Sequence, residues 1–305
     1  MSALVHPFET REAWLVARSQ FIGASEAAAV CGLDPYLSAY ALWAEKCGLV
    51  TDERDGDGDI SEAAYWGNTL EPLIANRYAE ETGLELRDHG RWTLMRGAHP
   101  HLAATLDREI LAPAAPGVLE IKAPGFLMRD TWIDGPPERH VIQLQAQLAV
   151  TGHTWGAIAA LIGGQDFRIY RVERDQELID LVLERVDEFM ECVRRQEAPE
   201  PDGSASTARV LKKLYPEDSG AEISLDEPHH DKWVAELEAA RADAKAAEAR
   251  INVAENHLRQ AIGANTFATV GGHRLSLKTT KRAGYTVEPT SYRALKFEKL
   301  PKGKR

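Results

Sequence analysis

Residues 103–124 read AATLDREILAPAAPGVLEIKAP and hold three side chains of types that do chemistry together: Asp107, Glu120 and Lys122. Glu120 and Lys122 lie two apart, and alternate side chains of a strand share a face. The Pro- and Gly-rich residues 112–117 cannot continue a ladder, so strands at 102–111 and 118–122 read as a hairpin. If the hairpin pairs, Asp107 comes round beside Glu120. Buried charges are costly unless paired or bound to metal, so two carboxylates and an ammonium at one spot make a poor core. They make a good seat for a divalent cation beside a phosphate and a water. Asp107 and Glu120 supply hard oxygens, the backbone carbonyl of Ile121 adds a third, and Lys122 polarises or orients the water. Acid and lysine also alternate on many exposed strands, so the pattern gains its meaning from the elements around it.

Those elements alternate in type. Residues 9–33 give a short helical stretch, then FIGASEAAAVCGL, where Ser25 suits the N-cap of a helix of small residues and Gly32 its stop. A helix follows at 36–48. Residues 61–83 are helical in pattern, with Pro72 expected in a first turn. Glu71 then falls near exposed N-terminal amides, a structural role, or else serves as a further carboxylate of the site. Strands at 84–88, 91–95, 102–111 and 118–122 lead into a helix at 136–152. On that helix Gln143 and Gln147 share a face while Gln145 points about 160° away. An apolar strand pairs with 166–173 as a hairpin, and an amphipathic helix follows at 175–196. This order predicts an α/β fold with a mixed central β-sheet flanked by helices.

Residues 197–209 (EAPEPDGSASTAR) lack periodicity and mark a boundary. The expected organisation is a first domain at 1–198, a linker at 199–230 and a C-terminal extension at 231–305. In the extension Leu237, Ala244, Ile251 and Leu258 repeat every seven residues, with alanines three later, as in a helical hairpin arm or an oligomer contact. A β-hairpin turning at Gly271-Gly272 closes it.

Composition removes several classes. With 44% hydrophobic and 27% charged residues and no apolar run near 18, the chain gives no sign of a membrane span or a secretory leader. Cys31, Cys47 and Cys192 are an odd, scattered set that suits free thiols in a reducing cytoplasm rather than disulfides, a zinc ribbon or an all-cysteine iron–sulfur cluster. The acidic residues 51–60 (TDERDGDGDI) fail the calcium-loop pattern, since its glycine falls on Ile60 and its final glutamate on Trp66. They read as a solvated loop. The net charge of −11 divides unevenly: residues 273–305 hold ten basic and two acidic side chains, +8, leaving −19 for the remainder. Global acidity does not forbid a nucleic-acid partner, because the local field over the groove decides.

Four blocks in this order resemble one family. They are Trp14 and Arg18 followed by GASE (23–26), WGNTLEP (66–72), LAATLD with LEIKAP, and the helix carrying QLQAQLAVTG. Over roughly residues 10–195 the sequence resembles the PD-(D/E)xK nucleases and, within them, the phage lambda exonuclease / YqaJ-like viral recombinase family. The resemblance implies a restriction-endonuclease-like core and a metal-dependent DNA nuclease, a 5′→3′ double-strand exonuclease of phage recombination. An endonuclease of the same fold and a non-catalytic DNA-binding or assembly module are the alternatives. It implies Mg²⁺, with Mn²⁺ able to substitute, held by Asp107, Glu120 and the Ile121 carbonyl with Glu71 near. It further implies Lys122 as catalytic lysine, Gln145 placing the nucleophile with Gln143 as its near neighbour, and Arg18 and Ser25 binding the DNA 5′ phosphate. Linear duplex DNA, a single-strand annealing protein and further copies of the chain in a trimeric ring are the implied partners, in the cytoplasm of a bacterial host. One departure is visible: Leu106 stands where the superfamily's name puts proline.

Overall fold

The structure is a computed structural model that describes residues 3–51, 62–225 and 228–281. The acidic loop at 52–61 and most of the basic end, 282–305, lie outside the described residues. Two units divide the chain, Met1–Pro216 and Glu217–Arg305.

The first unit runs β1 (Leu4–Pro7), α1 (Arg11–Arg18), β2 (Ile22–Gly23), α2 (Ala27–Val30), α3 (Ala39–Lys46), α4 (Glu62–Thr82), β3 (Glu85–Arg87), β4 (Thr93–Arg96), β5 (Leu102–Ala104), β6 (Arg108–Leu111), β7 (Gly117–Lys122), α5 (Glu138–Thr151), β8 (Trp155–Ile162), β9 (Asp166–Glu173), α6 (Gln176–Arg195) and α7 (Ala205–Leu214). Five strands form a mixed sheet in the order β3-β6-β7-β8-β9, antiparallel except where β7 and β8 run parallel. Parallel neighbours need a crossover, and α5 supplies it. The smaller sheet has the order β1-β4-β5-β2.

The two faces of the large sheet are buried differently. Leu119 and Ile121 of β7 pack with Ala157 and Ala159 of β8 against Ile74, Ala75 and Tyr78 of α4. Val118, Ile158 and Ala160 face the other way, with Leu144 and Leu148 of α5 and the apolar stripe of α6. Strand alternation therefore turns Glu120 and Lys122 toward α5. The helix lies very close to the sheets. A Cβ on Gly156 would stand 2.8 Å from Leu144 Cδ1, and one on Gly97 would stand 2.5 Å from the Val150 carbonyl oxygen.

Three expectations change. The single strand at 102–111 is two strands in different sheets, because the chain turns at Thr105–Asp107. There Thr105 Oγ1 donates to the Thr93 carbonyl at 2.8 Å, and the Ile121 amide donates to Asp107 Oδ2 at 2.7 Å. Next, α4 starts upstream at Glu62, so Pro72 lies inside it and Glu71 is nowhere near its N-terminal amides. Third, α7 forms within the expected linker. Ser204 caps it, and Ser206 and Thr207 hydrogen-bond Ser38 at the start of α3. Val210 is buried in the core of the first unit, which thus continues past residue 198.

In the second unit α8 (Pro228–Ile262) spans 35 residues, and β10 (Phe267–Val270) pairs antiparallel with β11 (His273–Ser276). Ile251 and Leu258, on the seven-residue seam of α8, are exposed. No helix among the described residues is long and apolar enough to cross a membrane.

Candidate active site

A cavity of about 700 Å³ opens where β5, β6 and β7 end against α1 and α4. Arg18, Ser25, Glu71, Asp107, Glu120, Ile121, Lys122 and Gln143 all line it, while Gln145, which the resemblance put at the site, does not. Asp107 enters from the corner between the sheets. Glu120 and Lys122 enter from the carboxyl end of β7, the end of a parallel strand where α/β folds place ligands.

The acidic end is tightly organised. Glu120 is buried at 1% exposure. Its Oε1 meets Lys122 Nζ and accepts from Gln143 Nε2 at 2.7 Å, while its Oε2 accepts from Gln147 Nε2 at 2.7 Å. Lys122 Nζ also donates to Gln143 Oε1 at 3.2 Å. Burial, reinforced by the Glu120 charge, holds the Asp107 carboxyl well above the usual carboxylate range. Burial alone would lower the Lys122 ammonium, but Glu120 and Asp107 outweigh it and hold the pKa above its ordinary value.

Gln145 is not in this cluster. Its Nε2 donates to the Glu173 carbonyl at 2.7 Å, and its Oε1 accepts from the Asp175 amide at 3.0 Å. It ties α5 to the junction of β9 and α6, on the opposite side of the helix. The glutamines that reach Glu120 are Gln143 and Gln147, the pair four residues apart on one face. Glu71 lines the cavity, but its Oε1 accepts from Arg108 at 2.7 Å, and Arg108 also donates to the Asp107 carbonyl. In this geometry Glu71 acts on the site through Arg108 and by raising the Asp107 pKa.

At the other end of the cavity Arg18 donates to Glu26 Oε1 at 3.0 Å and to Ser25 Oγ at 3.3 Å, with its guanidinium 5.3 Å from the Trp14 ring centroid. Lys46 Nζ pairs with Glu26 Oε2 at 2.9 Å and also donates to the Phe21 carbonyl at 2.7 Å. Burial alone would raise the Glu26 carboxyl, but Arg18 and Lys46 together hold it below its ordinary value. Ser25 is no N-cap: residues 24–26 form a 3-10 turn, and the Gly23 amide donates to Glu26 Oε2 at 2.9 Å. Gly23 leaves room for Arg18, whose Nε would lie 3.2 Å from a Cβ there. An arginine fork and a hydroxyl held in this way suit a terminal phosphate.

Sequence reading missed Gln147, Arg108 and Thr105. Thr105 lines the cavity and accepts from Trp14 Nε1 at 3.2 Å. Only Gln147 left a signal, its four-residue spacing from Gln143.

The donor set fits a small divalent cation. Asp107 and Glu120 are carboxylates close enough to repel, and the ammonium of Lys122 is the positive charge now set against them. Within a strand, the carbonyl and amide of one residue point to the same edge. The Ile121 amide reaches Asp107 Oδ2, so the Ile121 carbonyl points toward Asp107 as well. Two carboxylates and a carbonyl, with water and phosphate for the remaining positions, are a Mg²⁺ ligand set.

Residues 13–154 match the family model described as the YqaJ-like viral recombinase domain. Over those residues the chain is similar to that family. It is 33% identical over 212 residues to the uncharacterised protein YqaJ of Bacillus subtilis, covering 68% of this chain and 64% of that relative's length. Among solved structures it is similar to the alkaline exonuclease LHK-Exo of Laribacter hongkongensis, with a TM-score of 0.50 and 25% identity over 67% of this chain and all of that one. The structure of LHK-Exo in complex with dAMP matches at a TM-score of 0.50 and 26% identity, over 66% of this chain and 96% of that one. The mixed α/β unit thus has the fold of this alkaline exonuclease.

Proposed function

We propose that the chain is a metal-dependent DNA nuclease that degrades linear duplex DNA from its 5′ ends, working in the cytoplasm of a bacterial host. The observation that carries this reading is the single cavity with Asp107, Glu120 and Lys122 at one end and the Arg18–Ser25 pocket at the other. The exonuclease activity named for the Laribacter relative, and its complex with a nucleotide that bears a terminal phosphate, support exonuclease over endonuclease.

Arg18 and Ser25 take the 5′ phosphate and fix the strand's register, which converts attack on the next phosphodiester into a positioned event. Asp107, Glu120 and the Ile121 carbonyl would hold Mg²⁺, for which Mn²⁺ would substitute. When bound, the ion makes water acidic enough to attack at neutral pH and absorbs charge on the phosphoryl oxygens. Lys122, held between Glu120 and Gln143, would orient the attacking water with its ammonium. Gln143 keeps Lys122 and Glu120 in fixed relation, and Arg108 with Glu71 fixes the Asp107 corner. The uncovered seam of α8 suits assembly of further copies, and an annealing protein would receive the exposed strand.

The test is cleavage of 5′-phosphorylated linear duplex beside covalently closed circular DNA, with Mg²⁺, with EDTA, and with Lys122→Ala. Metal-dependent loss of the linear DNA alone, reduced about 10³-fold by the substitution, which corresponds to about 4 kcal/mol of transition-state stabilisation, is the expected result. Nicking of the circle would make the chain an endonuclease. Binding with no cleavage of either would leave a DNA-binding module.

A further inference from the structure

The two oxygens of Glu120 have different surroundings. Oε1 meets Lys122 and Gln143, which line the cavity, while Oε2 meets Gln147, which does not. Gln147 is 0% exposed. Its own Oε1 is buried without a hydrogen-bond partner among the described residues. Turning the amide over would set that oxygen against a carboxylate, so the orientation is forced: the amide nitrogen faces Glu120. A buried acceptor without a partner is costly, and leucine or methionine would fill this apolar helix face without one. Packing alone therefore does not call for glutamine here.

We propose, resting on the reading above, that Gln147 is a positioning residue that makes Glu120 a one-oxygen ligand and so favours Mg²⁺ over Ca²⁺. Calcium takes six to eight oxygens and accepts carboxylates through both oxygens; magnesium demands six at short, near-octahedral positions. With Oε2 tied into the helix, Glu120 presents Oε1 alone. Gln147 touches neither the cavity nor a substrate. Its effect on the ion passes entirely through Glu120, as outer partners of metal ligands act.

Calorimetric titration of the full chain with Mg²⁺ and with Ca²⁺, without DNA, tests this. In Gln147→Leu the ratio of Ca²⁺ to Mg²⁺ affinity rises about tenfold, the scale on which such outer partners act. An unchanged ratio in a variant that keeps the parent's melting temperature overturns the proposal. Gln147→Met preserves the unbranched shape should leucine disturb α5, and carries the same expectation. A crystal structure of the unaltered chain with Mn²⁺ needs no variant. Glu120 bound through Oε1 alone, with Oε2 still on Gln147, supports the proposal, and two-oxygen binding overturns it. Failure of the underlying reading looks different: the unaltered chain then takes up neither ion, which overturns both.

Discussion

Asp107 sits in conflict with the stability of its own fold. Burial, and then the neighbouring Glu120, raise its pKa well above the usual range, so the folded chain holds that proton more tightly than the unfolded chain does. By linkage, the associated stability is full below the ordinary carboxylate pKa and drains away as pH rises through the raised one. Without metal, ionising this carboxyl thus works against the fold. Asp107→Asn keeps an acceptor for the Ile121 amide and removes the charge. In EDTA near pH 7.5 it should stabilise the protein by about 1 kcal/mol, or about 2–4 °C in Tm, while cleavage is lost. An unchanged or lower Tm would count against it. At this scale the sequence led to Asp107, Glu120, Lys122, Arg18 and Ser25, which the fold brings to one cavity, because charge at a strand end is hard to explain by packing. Gln145 lies away from that cavity: resemblance pointed to it, while helix periodicity already put Gln143 and Gln147 together on the other face. Of the two readings of Glu71, the one near N-terminal amides falls away because the helix runs through Pro72 rather than starting there.

At the scale of elements, α5 also carries His140, stacked on Trp132 with ring centroids 5.4 Å apart. Burial, then Lys122 and Arg139, lower its pKa to about 2. The stability tied to neutral His140 is fully present above its unfolded pKa and is lost as pH falls below about 6.5, by up to about 1.4 kcal/mol per pH unit. His140→Phe should flatten this slope. Urea midpoints at pH 7 and pH 5 would differ less in the variant than in the parent, and equal differences would refute the role. The elements themselves were legible from period and punctuation, including the helix that joins β7 to β8. What did not show was the corner at Thr105–Asp107. Its residues are as strand-like as their neighbours, and only contacts with Thr93 and Ile121, distant in sequence, turn the chain there. Proline, glycine and serine likewise hid α7, which is tied through Ser206 to Ser38 at the start of α3, 168 residues away in sequence.

At the scale of the whole molecule, every residue lining the cavity belongs to the first unit. A chain ending at Pro216 should fold and bind metal with a Tm within a few degrees of the parent. It should bind DNA more weakly, having lost the segment that holds the +8 charge. Ending at residue 198, as the sequence boundary suggests, removes α7 and uncovers Ser38 and the core beside Val210, at a cost of about 2–4 kcal/mol. Thermal melts of the two truncations separate these outcomes, and equal melting would show α7 to be dispensable.

The single rod α5 joins both kinds of duty, and this bears on how the protein would lose activity over time. Gln143 and Gln147 steady the reacting groups, Gln145 fastens the turn into α6, and the Val150 carbonyl lies where only a glycine at 97 allows it. No part of the helix can fray without disturbing the other tasks. The half-life of activity at elevated temperature would then equal the half-life of the folded first unit. A substitution that slows its unfolding anywhere in that unit would lengthen the working life of the catalyst to the same degree.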